Sequence, residues 1–525
     1  MNTNRHHLLL TLLVAMSALA ASDADAQTSA PRRGAVPKVV INILVDQLRS
    51  DYLEAFAPLY GEDGLQRLLQ DGCVYTQAEY PMARTDRASA VATVATGTVP
   101  ADHGIVGGQW MDRATLRPVH CCQSEAGIAP TRLSVSTVGD ELKIATEGKA
   151  HVIAIAPWSE AAVLAAGHAA DAAVWIDAQR GVWTSSAYYG GHLPAWAAYA
   201  NQRCSIAATL QSTTWRPTND LVGNFSYFLS GGMKQPFAHR FAGNEACSDF
   251  LTSGLVNDEI AQVVADAIAS SAIGTDAIPD YISVVLYAGG FRQQPASLFP
   301  MEQQDIYVRL DRAVATILRS VEQKVGTDNA LITLTSTGYT AEQTSDLSRY
   351  RIPTGTFNVR RAAGLLGMYL TAAYGQGAYV ETTYGSEIYL SHKVIEDKGL
   401  NYGEVLGRCQ DFLLMLEGVK DVYTSQRLLQ GAWTPGIARY RSGYHAQRSG
   451  DILIHVTPGW TIESEYGSKP PVAREGYIPF PIIFYGNAAQ PQHFSQSVST
   501  DRIAPTIAKS IRIRAPNASA AAPLF

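Results

Sequence analysis

The chain has 525 residues, a formal net charge of −6, 17% charged residues and 46% hydrophobic residues. That balance belongs to a globular protein with a sizeable core, large enough for one elaborated domain or for two or three smaller ones. The mild acidity and the lack of any Lys/Arg block exclude nucleic acid as the main partner.

In chain order, Arg5-His6-His7 precedes the apolar run Leu8–Ala21, and Ala24-Asp25-Ala26 offers a small-residue exit before Gln27. Basic start, apolar length and exit together predict a secretory signal peptide over residues 1–26, cut after Ala26. The run is shorter than the about 18–20 apolar residues a membrane span needs. No Cys follows it to carry a lipid, and no later stretch is long and apolar enough to span. The expectation is an exported chain, periplasmic or secreted. Residues 27–37 read as a linker, 38–515 as the main domain and 516–525 as an Ala-rich tail. The six cysteines are Cys73, Cys121, Cys122, Cys204, Cys247 and Cys409. Their spacing fits no zinc motif, their pairing is open, and export leads us to expect one or two structural disulfides.

VVINILVD (Val39–Asp46) is a continuous apolar strand of the kind buried on both faces of a parallel sheet, and it ends in a carboxylate. Further apolar strands are expected at HVIAIA (151–156), YISVVLY (281–287), ALITLT (330–335), DILIHV (451–456) and PIIFYG (481–486). Helical patterns separate several of them, notably over 302–325. The alternation predicts an α/β fold with a doubly wound, mostly parallel sheet, whose chemistry sits beyond the carboxyl ends of the strands. Two stretches interrupt it. Residues 175–250, rich in Trp, Tyr, Gly and Asn, read as an irregular cap that either binds a glycan or peptide or simply covers the sheet. Residues 355–440 read as a small inserted α+β subdomain.

Ahead of both lies PMARTDRASAVATVATGTVPADHGIVG (81–107), where Thr85-Asp86-Arg87 precedes a small-residue helix. Such a junction offers free N–H groups to an anion or a cap. Thr85 or Asp86 is expected to cap the helix, since both side chains accept hydrogen bonds from its first turn.

VVINILVDQLRSDYLEAF, ATGTVPADHGIVGGQW, AGHAADAAVWID, DIYVRLDRAVATIL and STDRIAPTIA follow one another in order. Together they resemble the alkaline phosphatase superfamily, on the branch of type I phosphodiesterases and nucleotide pyrophosphatases. The similarity is strongest to bacterial periplasmic alkaline phosphatases with a threonine nucleophile. It extends over nearly the whole mature chain, the 355–440 insertion included. The resemblance implies two zinc ions that clamp the attacking and leaving oxygens of a phosphoryl transfer. Asp46 matches the family's first metal-binding aspartate. The other matched positions have changed. The nucleophilic threonine falls on Arg87 and the motif histidine on Val91. The asparagine that steadies phosphate falls on Gly108, and the phosphate-binding Lys-x-Arg on Trp158 and Glu160. The family's Asp-x-x-x-His falls on Gly290 and Gln294, its Asp-His pair on Thr337-Gly338, and its last histidine on Tyr466.

One carboxylate does not hold two zinc ions, and neither Arg nor Gly is a zinc ligand. The expectation is therefore a chain without a cofactor whose two-zinc site is lost, acting as an exported binding or assembly component. Its ligand would be an unidentified protein or a phosphorylated or anionic small molecule. Arg87 would stand where a metal stood and pair with Asp46, because a buried carboxylate without a cation is costly. A rival reading keeps a metal-dependent phosphatase or phosphodiesterase, with Thr85 as a shifted nucleophile and Asp46, Asp86 and Glu160 around one zinc. A third keeps anion binding at Arg87 without turnover. His168 reads as a structural loop residue and His103 as one that orders the loop after PAD. His120, beside Cys121-Cys122, lacks further ligands at zinc-like spacing.

Overall fold

The computed structural model describes residues 35–203, 205–222, 236–340, 351–432, 434, 436–463, 478–487 and 489–525. The predicted signal peptide, most of the linker, Cys204 and Tyr466 lie outside the described residues.

Nine strands form the central sheet of the unit Val36–Phe525. In chain order they are β1 Val39–Asp46, β2 Cys73–Glu79, β3 Val152–Ile155, β4 Ala172–Asp177, β5 Val182–Thr184, β6 Asp280–Tyr287, β7 Ala330–Ser336, β8 Phe480–Gly486 and β9 Gln492–Ser499. They lie in the order β9-β2-β8-β7-β1-β6-β3-β4-β5. The central run β7-β1-β6-β3-β4 is parallel throughout, while β8 runs antiparallel to both its neighbours and β5 to β4. β1 shows why its sequence is continuously apolar. Val39, Ile41, Ile43 and Val45 enter one core and Val40 and Leu44 the other, so both faces are buried. Helices Leu255–Ser270 and Pro300–Val325 cover the first face. Arg87–Thr96, Ser159–Ala166 and Ile503–Ser510 cover the second. In register Asp46 stands beside Tyr287 and Val45 beside Ser336, which brings the carboxyl ends of the three innermost parallel strands to one level.

DILIHV is a strand, Ile452–Val456, but it lies outside the central sheet. It joins Val380–Tyr384, Glu387–Leu390 and Val419–Thr424 in an antiparallel four-stranded sheet. Helices Val359–Tyr374 and Tyr402–Leu414 pack on that sheet around a core of their own. The physical reason is visible in the strand: Ile452 and Ile454 are buried while Leu453 and His455 are only half-buried, the alternation of a one-sided sheet. The insertion thus extends past 440. Strand Gly355–Phe357 pairs with Trp460–Ile462 where it leaves and rejoins the main domain.

In the cap-like stretch, Trp183, Trp196, Trp215, Phe241 and Phe250 are buried in the first core, so these rings cover the sheet. Buried indoles still need acceptors: Trp183 Nε1 donates to Glu259 at 2.9 Å and Trp215 Nε1 to Asp305 at 2.6 Å. In the tail, the ring of Phe525 packs against Phe484 with centroids 5.1 Å apart. The expected disulfides are absent among the described residues. Cys73, Cys121, Cys122, Cys247 and Cys409 are buried free thiols, and the adjacent Cys121 and Cys122 sulfurs are 3.7 Å apart. Each serves as a small apolar core residue.

Candidate functional site

The site begins at the helix Arg87–Thr96. Asp86 is its N-cap: the carboxylate accepts from Ser89 N–H at 2.9 Å, and Ser89 Oγ accepts from Asp86 N–H at 3.0 Å, a reciprocal capping box. The other Asp86 oxygen accepts from Gly108 N–H at 2.6 Å, which ties the following loop to the helix start. Both oxygens of Asp86 are thereby engaged in backbone work. Thr85 lines a cavity on the side of the inserted subdomain.

Arg87, at the first helical position, reaches the end of β1. Its Nε and Nη2 donate to Asp46 Oδ2 at 3.0 and 2.9 Å. Its Nη1 donates to Glu160 Oε1 at 2.9 Å. Trp158, just before the helix Ser159–Ala166, lays its ring 3.4 Å from the guanidinium carbon, a cation–π contact. Asp46 is fully buried, and Thr337 Oγ1 donates to its Oδ1 at 3.0 Å while Tyr339 Oη lies 3.4 Å from Oδ2. Gln47 N–H in turn donates to Thr337 Oγ1 at 2.8 Å, which fixes the hydroxyl. Burial alone would lower the pKa of Arg87, but Asp46, Tyr339 and Glu160 outweigh it and hold the guanidinium well above its usual value. Glu160 responds in kind: burial would raise its carboxyl, and Arg87 pulls it below the usual carboxylate range. The arrangement is an ion cluster on a buried strand end, one guanidinium shared by two carboxylates.

Two zinc ions do not fit this donor set. Asp46 is enclosed by Arg87, Thr337 and Tyr339, and two of the described positions matched to further ligands, Gly290 and Gly338, have no space for a side chain. A Cβ added to Gly290 would sit 1.9 Å from the Gln294 carbonyl oxygen. The loop has folded onto itself, with Tyr287 Oη donating to the Gly290 carbonyl at 2.7 Å. Gly338 has φ +70°, and a Cβ there would lie 2.6 Å from the Tyr80 ring, so no histidine enters without displacing it. Val91 points into the apolar core. Among the described residues, no three His, Cys, Asp or Glu side chains are grouped to hold a metal.

The histidines have structural places. Buried His103 accepts from Ile105 N–H through Nδ1 at 3.0 Å and lies 3.2 Å from Thr93 Oγ1, and burial pushes its pKa down to about 3. His168 uses both nitrogens, on Asp140 at 3.1 Å and the Leu133 carbonyl at 3.0 Å. His120 Nε2 is 3.9 Å from Glu160 Oε2, at the edge of the ion cluster. Sequence reasoning missed Tyr339, three residues past the end of β7, and Tyr287, whose ring packs edge-on against Trp158. The only sequence signal for either was its place at a strand end.

Comparison with known proteins agrees with the fold and the family frame. A family model described as type I phosphodiesterase / nucleotide pyrophosphatase matches residues 40–478. The alkaline phosphatase PafA of Elizabethkingia meningoseptica is 27% identical, over 98% of this chain and 98% of its own length. The alkaline phosphatase PhoV of Synechococcus elongatus is 25% identical, over 97% of each. The crystal structure of wild-type PafA superposes with a TM-score of 0.78 at 25% identity, covering 93% of this chain and 98% of that one.

Proposed function

This chain belongs to the type I phosphodiesterase / nucleotide pyrophosphatase family of the alkaline phosphatase superfamily, and we propose that its two-metal centre has been replaced by a structural ion cluster. On this reading the protein is an exported binding or assembly component without phosphoryl-transfer activity. One observation carries it. Arg87, at the nucleophile position of the resemblance, is bound to Asp46 at 2.9 Å and Glu160 at 2.9 Å. It stays protonated at any physiological pH and is no nucleophile.

Electrostatics supports the same reading. One guanidinium faces two carboxylates, so the cluster carries no excess positive charge for a phosphate, where a two-zinc site carries a large one. Anion capture at Arg87 is disfavoured for that reason. The rearranged hydrolase built on Asp46, Thr85 and Asp86 is less well supported too. Asp86 is engaged as a cap, Thr85 faces another cavity, and Asp46 and Glu160 share the same cation.

The test is metal content and turnover measured on one preparation of the full chain, purified and assayed with added zinc. The expected result is substoichiometric zinc and no hydrolysis of aryl phosphate monoesters or diesters. Two bound zinc ions with turnover would overturn the proposal. Arg87→Thr alone is expected to restore nothing, because Gly290 and Gly338 leave no room for the missing ligands.

A further inference from the structure

The cavity that Thr85 lines adjoins the ion cluster through Gly338 and Tyr339 and has the opposite electrostatic character. It has a volume of about 280 Å³ and lies between the strand ends of the main domain and the inserted subdomain. Tyr80, Tyr339 and Phe480 contribute aromatic walls from the main domain, and the subdomain contributes the buried pair Tyr423 and Tyr440, stacked with ring centroids 3.9 Å apart. Three basic side chains converge on the same space: Lys420, Arg439 and His455.

The balance of charge there is unusual for this chain. Most described arginines near carboxylates are paired, as Arg87, Arg113, Arg309 and Arg427 are. Arg439 instead donates through Nη2 to two main-chain carbonyls, those of Tyr80 and Met82, at 3.2 and 3.3 Å. Those bonds hold the guanidinium in place and leave its charge uncompensated. Lys420 likewise has no carboxylate at ion-pair distance among the described residues. His455 is held by Tyr440, whose hydroxyl is 2.9 Å from Nδ1. The single acid of the lining, Glu79, accepts from Ser497 Oγ at 2.8 Å. Two cations, the fixed Arg439 and the exposed Lys420, against one carboxylate leave a net positive site with apolar walls.

We propose that this cavity binds a small organic anion, an acidic head group carried on a ring of about ten non-hydrogen atoms in all. Lys420 and Arg439 take the head group, carboxylate or phosphate, by charge-assisted hydrogen bonds. The ring lies against Tyr80, Tyr339 and Phe480, and Glu79 accepts a hydroxyl of the ligand where it has one. The site supplies the binding role proposed above and rests on it. It draws on residues of both the main domain and the insertion, so the ligand also bridges the two.

Calorimetric titration of the full chain with 4-hydroxybenzoate, phenyl phosphate and benzyl alcohol tests it. Both anions, or one of them, are expected to bind at a single site, and the uncharged alcohol is not. The ratio of the two affinities identifies the head group. Lys420→Met is expected to weaken binding about fivefold or more, and Arg439→Met about tenfold or more. Lys420 is exposed and makes no hydrogen bond or ion pair among the described residues, so its variant separates loss of the site from loss of the fold. Failure of both anions to bind at millimolar concentration overturns the inference, as does binding unchanged in both variants. Hydrolysis of bound phenyl phosphate would instead overturn the loss of catalysis and leave this site standing.

Discussion

Replacing Arg87 by methionine removes the charge and keeps most of the stem. Asp46 is fully buried, and in the variant its Oδ2 loses both guanidinium bonds, of 3.0 and 2.9 Å. Only the hydroxyls of Thr337 and Tyr339 remain to it, and Glu160 loses its partner as well. Breaking a buried pair by removing one partner costs about 3–5 kcal/mol, because the other charge is left uncompensated. The unfolding entropy of a globular chain is about 2.1 cal/mol/K per residue, or about 1 kcal/mol/K for the unit Val36–Phe525. The expected fall in Tm is therefore about 3–5 °C. Thermal unfolding at neutral pH measures it, with Asp46→Asn and the double variant completing a cycle. The double variant should lose about 2 kcal/mol less than the sum of the two single ones, because its buried carboxylate is gone. An Arg87→Met protein that melts within about 1 °C of the parent, or strict additivity in the cycle, would refute a structural role for the pair.

Asp86→Ala removes a cap and the acceptor of Gly108 N–H together, and should cost about 1–2 kcal/mol in denaturant unfolding, with faster amide exchange at Gly108 and Ser89. Asp451 gives a pH signature. Burial would raise its carboxyl, but His392, Arg113 and Tyr402 outweigh burial and hold it at about 2. Its folded value is thus below the ordinary one of about 3.9, so its contribution of about 2–3 kcal/mol is complete above that value and is lost as pH falls through about 2. Stability curves of the parent and of Asp451→Asn should therefore differ at pH 6 and draw together towards pH 2; parallel curves would contradict the assignment.

Much of the site was legible because its parts sit at strand and helix ends. Asp46 closes an unbroken apolar strand, and the TDR triplet precedes a small-residue helix, so both positions follow from local pattern. Their pairing followed from charge: a carboxylate on a doubly buried strand needs a cation, and Arg87 is the one the matched frame supplies. Glu160 and Trp158 were legible only as the positions that match the family's phosphate-binding pair. That they bind the two sides of the same guanidinium depends on how helix Ser159–Ala166 is set against helix Arg87–Thr96. The strand Ile452–Val456 was found and misassigned, since a short apolar run does not say which sheet it joins. The cysteines misled because export permits disulfides without requiring them, and here the described thiols fill apolar space.

Periodicity and strand-end carboxylates are local properties and determined the α/β class, and the order of the motifs carried the resemblance to the family. Whether a metal-ligating side chain would have room at Gly290 and Gly338 was decided by the tertiary structure. The Gly290 loop closes onto the Gln294 carbonyl, and Gly338 lies under the Tyr80 ring. The cationic cavity was settled at the same level, because Arg439 and Lys420 meet the strand ends only when the inserted subdomain packs against them. Distances between segments far apart in sequence are set by packing, and no local pattern encodes them.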